Sequence, residues 1–396
     1  MQCTQIDRRK FLKQGMAGFA LLAAGTGLYP GRRSTAAAIS DSMSNLQHLG
    51  PLGPADENGI MLTSGFRSRV VARSGEIAVS GSDYVWHDAP DGGATYATHD
   101  GGWIYVCNAE LRSRRGGVGA LRFNSTGVVT DSYPILMGTE NNCAGGKTPW
   151  QTWLSCEEVD NGQVYECDPF GKREAVVRPA LGTFKHEAVA VDPVNQHIYL
   201  TEDQRDGALY RFKPEGLFPD ITSGYLEIAT LEIIQGKSIL KWTQVPDPGA
   251  GQTPTRYQVA NYASFDGGEG IIYQQGRIYF STKGDNRVWL YNIANSEISV
   301  IYDIASSSNP ILSGVDNLMI TPAGDVLVAE DGGDMQLVVL TADEQVIPLL
   351  QIVGQDRSEI TGPAFDPSYT RLYFNSQRGP AGASSNGITY EISVQF

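Results

Sequence analysis

The chain has 396 residues, enough for two average domains or for one large all-β domain. Its net charge of −14 argues against nucleic acid or an anionic membrane surface as a partner. The 45 glycines and 18 tyrosines, with short apolar runs between turn residues, favour the all-β alternative.

Residues 1–38 have the composition of an export signal. Arg8 and Arg9 form a twin arginine, a mildly apolar stretch follows from Gly15 to Leu28, and small residues suited to cleavage lie at Thr35–Ala38. The alternative is a membrane anchor, but this stretch is short and glycine-rich for a bilayer span. We therefore predict export of the folded protein by the twin-arginine machinery, to the periplasm or outside the cell, and no stable membrane span in the mature chain.

Removal of that signal takes away six Lys and Arg and one acid, and leaves a net charge of about −19. An acid excess of this size suits calcium binding and also solubility. We predict a linker over 39–64 and one β-propeller domain over 65–396. Four cysteines remain without CxxC spacing, which excludes a zinc ribbon, and Cys156 and Cys167 are the nearest pair for a disulfide in an oxidising compartment.

An internal repeat organises the rest of the chain. Each copy has a small or acidic start, an apolar strand, a turn, a second strand and a polar end. Five copies are clear and one, the second listed, is degenerate: DGGATYATHDGGWIYVCNAE, GGKTPWQTWLSCEE, HEAVAVDPVNQHIYLTED, EGIIYQQGRIYFSTKGDN, DNLMITPAGDVLVAED and TGPAFDPSYTRLYFNSQ.

The spacing of these copies predicts a six-bladed β-propeller. Measured from Asp91, Gly145, Glu187, Glu269, Asp316 and Thr361, their starts are 54, 42, 82, 47 and 45 residues apart, mostly the length of a four-stranded blade. The long interval predicts a loop-rich insertion at 213–257. We expect Phe66–Ser74 and Gly387–Phe396 to complete one blade together and close the ring; a β-sandwich of unrelated hairpins is the alternative fold.

Acidic residues recur at one end of these hairpins. Glu187 starts a first strand, and Glu202 with Asp203 ends the second strand beside it; Glu330 with Asp331 repeats the pattern. A propeller would bring such ends around one mouth of its central channel, where like charges repel unless a cation binds. Carboxylates suit Ca²⁺, and a nearby cysteine would suit a softer metal such as iron. Each acidic pair taken alone could equally be a solvated loop end.

One stretch carries a resemblance to a known family. NCAGGKTPWQTWLSCEE, residues 142–158, is similar to a long motif of the PhoX-type alkaline phosphatases, and FKHEAVAVDP, YLTEDQRDGALYRF, GGEGIIY and DNLMITPAGDVLVAED match further parts of that family. The resemblance extends from about Phe66 to Gln377. A twin-arginine signal is also typical of the family.

The resemblance implies a secreted metal-dependent phosphatase that hydrolyses phosphate monoesters, and diesters as a second class, by metal-assisted in-line attack. It implies Ca²⁺ and Fe³⁺ at the channel mouth, small phosphorylated molecules as substrates, and Cys143 as the soft ligand of iron. The oxygen ligands that it implies are Glu157, Glu158, Glu187, Glu202, Asp203, Glu269, Asp316, Glu330 and Asp331.

The chain departs from the family pattern at two places. Ala109 stands where the large enzymes have His, and QRGP at 377–380 replaces a turn of the type Q-H-P. The basic side chains that would bind phosphate are therefore chosen only because they lie near the matched motifs. The candidates are Lys283, Arg378 and Lys147. Two other functions remain open from the residues alone: a calcium-dependent lactonase-like hydrolase, because fold does not fix function, and a non-catalytic calcium-binding propeller.

Overall fold

The computed structural model describes residues 42–394, so the predicted export signal at 1–38 lies outside the described residues. This part of the chain contains 27 β-strands and no α-helix. Its only helical turns are three short 3-10 helices, Pro179–Leu181, Thr255–Gln258 and Ser384–Asn386. The described part of the chain contains no helix that is long and apolar enough to cross a membrane.

The strands form five antiparallel sheets. Two early strands, β1 and β2, join sheets built from the C-terminal part of the chain: Ile60–Leu62 and Phe66–Arg73. The next sheet contains β3 to β6: Pro90–Ala97, Trp103–Ala109, Gly116–Phe123 and Val129–Thr139. The sheet after it contains β7 to β10: Asn142–Lys147, Trp153–Glu157, Val164–Cys167 and Val176–Val177.

The middle of the chain forms one ten-stranded sheet. Its strands β11 to β15 are His186–Asp192, His197–Glu202, Gly207–Pro214, Gly224–Ile234 and Lys237–Gln244. The strands β16 to β20 are Ser264–Phe265, Gly268–Gln274, Arg277–Thr282, Arg287–Asn292 and Glu297–Asp303. Two runs of antiparallel neighbours meet here at a single residue pair, Ile239 of β15 with Glu297 of β20.

The C-terminal strands complete the last two sheets. One has β1 at the edge of β21 to β24: Val315–Ile320, Val326–Glu330, Gln336–Leu340 and Val346–Ile352. The other has β2 at the edge of β25 to β27: Ile360–Phe365, Arg371–Ser376 and Ile388–Val394. The predicted closure is confirmed, because β2 pairs with β27 from Phe66–Val394 to Arg73–Ile388.

The sheets have a propeller-like arrangement around a channel. The strands β3, β7, β11, β17, β21 and β25 each contact the next in this order, and β25 contacts β3. Glycine permits this close packing: a Cβ on Gly270 would lie 2.5 Å from the backbone N of Leu318, and a Cβ on Gly362 would lie 2.4 Å from the carbonyl O of Asp91. Gly362 also has φ +59°, a conformation that glycine adopts readily.

Three features differ from the sequence predictions. The insertion at 213–257 is not purely loop, because it contains the long hairpin of β14 and β15. The described part of the predicted linker is packed: the side chain of Met43 is fully buried, and the backbone N of Leu46 donates to Asp325 Oδ2 at 2.8 Å. The four cysteines that follow the predicted signal are free, so Cys156 and Cys167 form no disulfide.

Candidate metal centre at the channel mouth

All six inner strands carry a β-bulge near their first residue. The pairing of β11 with β12, for example, is regular up to His186 and resumes at Val189, which leaves Glu187 and Ala188 unpaired. A bulge bends a strand and redirects its side chains. The first unpaired residue of each bulge, in chain order, is Asp91, Cys143, Glu187, Glu269, Asp316 and Gly362.

A second set of functional groups follows the ends of the second strands. In each of the six hairpins, an equivalent backbone hydrogen bond fixes the residue that follows the second strand. In one hairpin the N–H of Asp203 donates to the carbonyl of Lys185, and in another the N–H of Asp331 donates to the carbonyl of Gly314. The six donors, one for each bulge, are Glu110, Glu158, Asp203, Lys283, Asp331 and Gln377. Glu359, which accepts the bond from Gln377, adds one more carboxylate.

These two sets converge on one group that we call the mouth cluster. Four subsets place their ligand atoms within 4.8 Å of one another: Cys143 with Glu158 and Glu187, Asp91 with Glu110 and Glu359, Glu187 with Glu269 and Asp316, and Asp316 with Asp331 and Glu359. With Asp203, the cluster contains nine carboxylates and one thiol.

Three cations and two amides lie against these acids. Lys283 Nζ is 2.9 Å from Glu269, 3.2 Å from Asp331 and 3.6 Å from Asp316. Lys185 Nζ lies 2.8 Å from Glu158 and 2.6 Å from Asp203, and Arg378 lies 2.6 Å from Glu359. The amide of Gln377 donates to Asp91 and Glu110, and that of Asn141 donates to Glu110 and Glu158.

Three cations do not balance nine carboxylates, and Glu187 shows the deficit most directly. Its side chain is fully buried, and neither of its carboxylate oxygens has a hydrogen-bond partner among the described residues. Burial, and then repulsion from Glu269, raises the pKa of Glu187 well above its ordinary value. An unpaired buried carboxylate is costly, so these two oxygens are suited to a bound cation.

Burial and mutual repulsion also raise other pKa values in the mouth cluster. Burial raises the pKa of Asp316 to about 6, although Lys283 opposes this, and burial with repulsion from Glu110 raises the pKa of Glu158 to about 7. Asp203 and Asp331 differ, because their hydrogen bonds and nearby lysines lower their pKa despite burial. Burial, followed by the charge of Asp91, raises the pKa of the Cys143 thiol, so metal coordination would have to displace its proton.

Three predicted ligands lie away from the mouth cluster. Glu157, Glu202 and Glu330 each precede a mouth residue, and successive side chains of a strand point to opposite faces. Each accepts a hydrogen bond from the backbone N six residues later, that of Gln163, Ala208 and Gln336 respectively. These three carboxylates therefore join neighbouring strands and are not placed to share a metal with Glu187.

The three cations predicted to bind phosphate are separated. Lys283 and Arg378 lie in the mouth, and about a third of each side chain is exposed. Lys147 is at the other end of β7, where its Nζ donates to the Thr95 carbonyl at 2.7 Å and lines a cavity of about 590 Å³. That position does not suit a role beside Lys283.

Sequence reasoning missed three acids and one cation of the mouth. Asp91 and Glu110 belong to the first repeat. Asp91 is at the start of that repeat but was not assigned as a ligand, and Glu110 follows Ala109, so a shift of one residue in register would have placed it in the second set. Glu359 precedes β25 and has no acidic counterpart at the equivalent place in the other repeats, which is occupied by Ala89, Asn141, Lys185, Gly267 and Gly314. For Lys185, the only sequence feature that could have indicated its role is its position shortly before the bulge at Glu187 and Ala188.

Comparison with known proteins agrees with this geometry. The family model "Alkaline phosphatase PhoX" matches residues 87–166 and 160–300, more than half of the chain. The chain belongs to the PhoX family and is a phosphoric ester hydrolase of the alkaline phosphatase type. No curated protein sequence matches it.

Solved structures share the fold at low sequence identity. PhoX from Pseudomonas fluorescens, in complex with the transition-state analogue vanadate, superposes with a TM-score of 0.73 at 16% identity, covering 88% of this chain and 97% of that one. The gluconolactonase XC5397 from Xanthomonas campestris gives a TM-score of 0.52 at 14% identity, covering 88% and 99%. At such identities the likeness concerns the fold alone.

The metal-free protein should lose stability as the pH rises. Asp316 and Glu158 have higher pKa values folded than unfolded, so the folded state binds more protons between about pH 4 and 7. Their contribution is complete below the unfolded pKa and is lost as the pH passes the folded pKa. Differential scanning fluorimetry in EDTA should show Tm falling from pH 5 to 8, with a smaller fall after metal loading. A flat or rising Tm in EDTA would contradict this.

Substitutions should separate mouth carboxylates from those that join strands. Glu187→Gln removes the charge of an unpartnered carboxylate, so bound metal measured by inductively coupled plasma mass spectrometry should fall by at least one equivalent per chain. Glu330→Gln is the matched control, because Glu330 accepts hydrogen bonds from the backbone N of Ser313 and Gln336. It should lower Tm and leave the metal content unchanged. Equal metal loss in both variants would refute the distinction.

Proposed function

We propose that this enzyme is a secreted, metal-dependent phosphatase that hydrolyses phosphate monoesters, with diesters as a second class of substrate. The observation that carries the proposal is the convergence of five bulge residues, Asp91, Cys143, Glu187, Glu269 and Asp316, on one buried mouth. Unpartnered oxygens on Glu187 support a need for cations there. The family assignment supports phosphate esters as the substrates.

The donor types support two kinds of metal ion. Subsets made only of carboxylates, such as Glu187 with Glu269 and Asp316, suit Ca²⁺, which prefers oxygen ligands. The subset of Cys143, Glu158 and Glu187 adds a thiolate, a ligand that iron accepts and Ca²⁺ does not, and we assign Fe³⁺ to it. When bound, such ions would neutralise phosphoryl oxygens and the leaving alkoxide, and would lower the pKa of an attacking water.

The side chains of the mouth have separate tasks in this reaction. One nitrogen of Arg378 contacts Glu359, and the rest of its partly exposed guanidinium can bind two phosphoryl oxygens. Three carboxylates hold Lys283 in place, and its ammonium group keeps its proton. Burial lowers the pKa of Lys283, but Glu269, Asp316 and Asp331 raise it by more, so the pKa lies above its ordinary value. Both would orient the phosphoryl group for in-line attack and stabilise its charge in the transition state.

Two further parts of the proposal concern architecture and location. We infer that the ten-stranded sheet counts as two blades that meet at Ile239 and Glu297, which gives six blades around the channel. We also propose that the twin arginine at Arg8 and Arg9 directs export of the folded chain to the periplasm or beyond. Export after folding would allow the cytoplasm to load the metals before the mouth is exposed to competing ions.

Activity assays test the proposed function. The metal-loaded full chain should hydrolyse p-nitrophenyl phosphate, EDTA should abolish turnover, and a lactone panel should show none. Arg378→Ala should lower kcat/KM about 100-fold, because a charged contact to the transition state is lost. Arg173→Ala is the matched control, since its side chain is 69% exposed and pairs with Asp168 outside the mouth, and it should stay within twofold.

Two results would contradict the proposal. Lactone turnover without phosphatase activity would favour a lactonase. Full activity in EDTA after exhaustive dialysis would remove the role of the metals.

A further inference from the structure

A polar pocket opens beside the mouth cluster. It has a volume of about 360 Å³ and is bounded by the turn after β8, the segment before β11, the end of β12 and the loop after β15. Lys185 belongs both to this pocket and to the mouth, because its Nζ bridges Glu158 and Asp203. A group held in the mouth could therefore extend past Lys185 into the pocket.

The insertion between β13 and β17 supplies one wall of this pocket, and that wall is anchored. The backbone N of Thr183 donates to the Pro248 carbonyl at 2.8 Å, and Thr255 Oγ1 donates to the Thr183 carbonyl at 2.7 Å. Arg256 Nη1 donates to the buried Glu202 at 2.7 Å. These contacts hold the wall in place without a ligand, as expected for a preformed site.

Both cations of the pocket are already paired with carboxylates, and Asp160 adds a negative charge that no salt bridge within residues 42–394 neutralises. Lys185 has two carboxylate partners, and Arg256 pairs with Glu202 and with Asp206. A second anionic group would find no unpaired cation there. The pocket therefore disfavours an anionic portion of a substrate.

Most of the remaining lining groups can form hydrogen bonds, and Ala250 and Pro254 are small apolar exceptions. The amide of Asn161 has no hydrogen bond to any residue within 42–394, and Gln204 uses only its Nε2, which donates to Asp160 at 3.3 Å. Phe184 is the one aromatic residue of the lining, is 2% exposed, and stacks on His186 and Tyr210 with ring centroids 3.6 and 4.1 Å apart. No free aromatic face is left to stack on a base or a phenyl ring.

We propose that this pocket binds the alcohol portion of the substrate, and that it selects neutral, hydroxyl-rich alcohols such as those of sugar and polyol phosphates. The inference rests on the proposed phosphatase function and deepens it. Asn161 and Gln204 donate to and accept from the hydroxyl groups, while the phosphoryl group stays in the mouth. Aromatic esters would bind through the phosphoryl group alone.

Steady-state kinetics of the metal-loaded full chain test this inference. The double variant Asn161→Ala, Gln204→Ala should lower kcat/KM for glucose 6-phosphate about tenfold, mainly through KM, because two neutral hydrogen bonds that together contribute roughly 1.4 kcal/mol are lost. Its kcat/KM for p-nitrophenyl phosphate should change less than twofold. The control Gln345→Ala, at an exposed turn that contacts only Asp343 by its side chain, should change neither.

A binding measurement separates this inference from the proposed function. Isothermal titration with the non-hydrolysable methylenephosphonate analogue of glucose 6-phosphate should give a Kd about tenfold weaker for the double variant than for the wild type. An unchanged Kd, or equal losses for both esters, would overturn the pocket assignment while the phosphatase function stands. Absence of turnover of every phosphate ester would overturn the proposed function, and the titration would still decide whether the pocket binds the sugar.

Discussion

The structure depends on concentrating negative charge in one place. Nine carboxylates and a thiol share a largely buried mouth with three cationic side chains, and no residue within 42–394 forms a hydrogen bond with either carboxylate oxygen of Glu187. Repulsion and desolvation both oppose such an arrangement, and multivalent cations are the common protein solution to it. A role in cation binding explains why these acidic residues are gathered in the mouth, whereas a role in stability alone would explain few of them.

The backbone that creates this surface is a repeated irregularity rather than a regular strand. A regular inner strand would alternate its side chains between the two sheet faces, and Glu187 or Asp316 would then pack between sheets. The bulge at each inner strand frees two residues from pairing and directs one toward the mouth. The last repeat has Gly362 at this place, and its carboxylate comes instead from Glu359. The six inner strands therefore have similar backbones but carry different functional groups, which suits the binding of different ions at different points.

The sequence predicted the all-β class and the closure by β2 and β27. Seven of the ten ligands that it predicted lie in the mouth: Cys143, Glu158, Glu187, Asp203, Glu269, Asp316 and Asp331. Apolar runs, turn residues and repeated acids carry that information. It could not separate Glu202 from Asp203 or Glu330 from Asp331, because a one-residue change of register exchanges the two faces of a strand. Lys147 ends β7, at the opposite end of the strand from Cys143, and is therefore far from the mouth. Glu359 could not be found from the repeat, because no other repeat has an acid at the equivalent place.

Anomalous X-ray diffraction from crystals of the exported protein tests the central claim most directly. Data collected around the iron edge and at long wavelength should place iron at Cys143, Glu158 and Glu187, and calcium among Glu187, Glu269 and Asp316. Well-ordered crystals without anomalous density at the mouth would contradict the account.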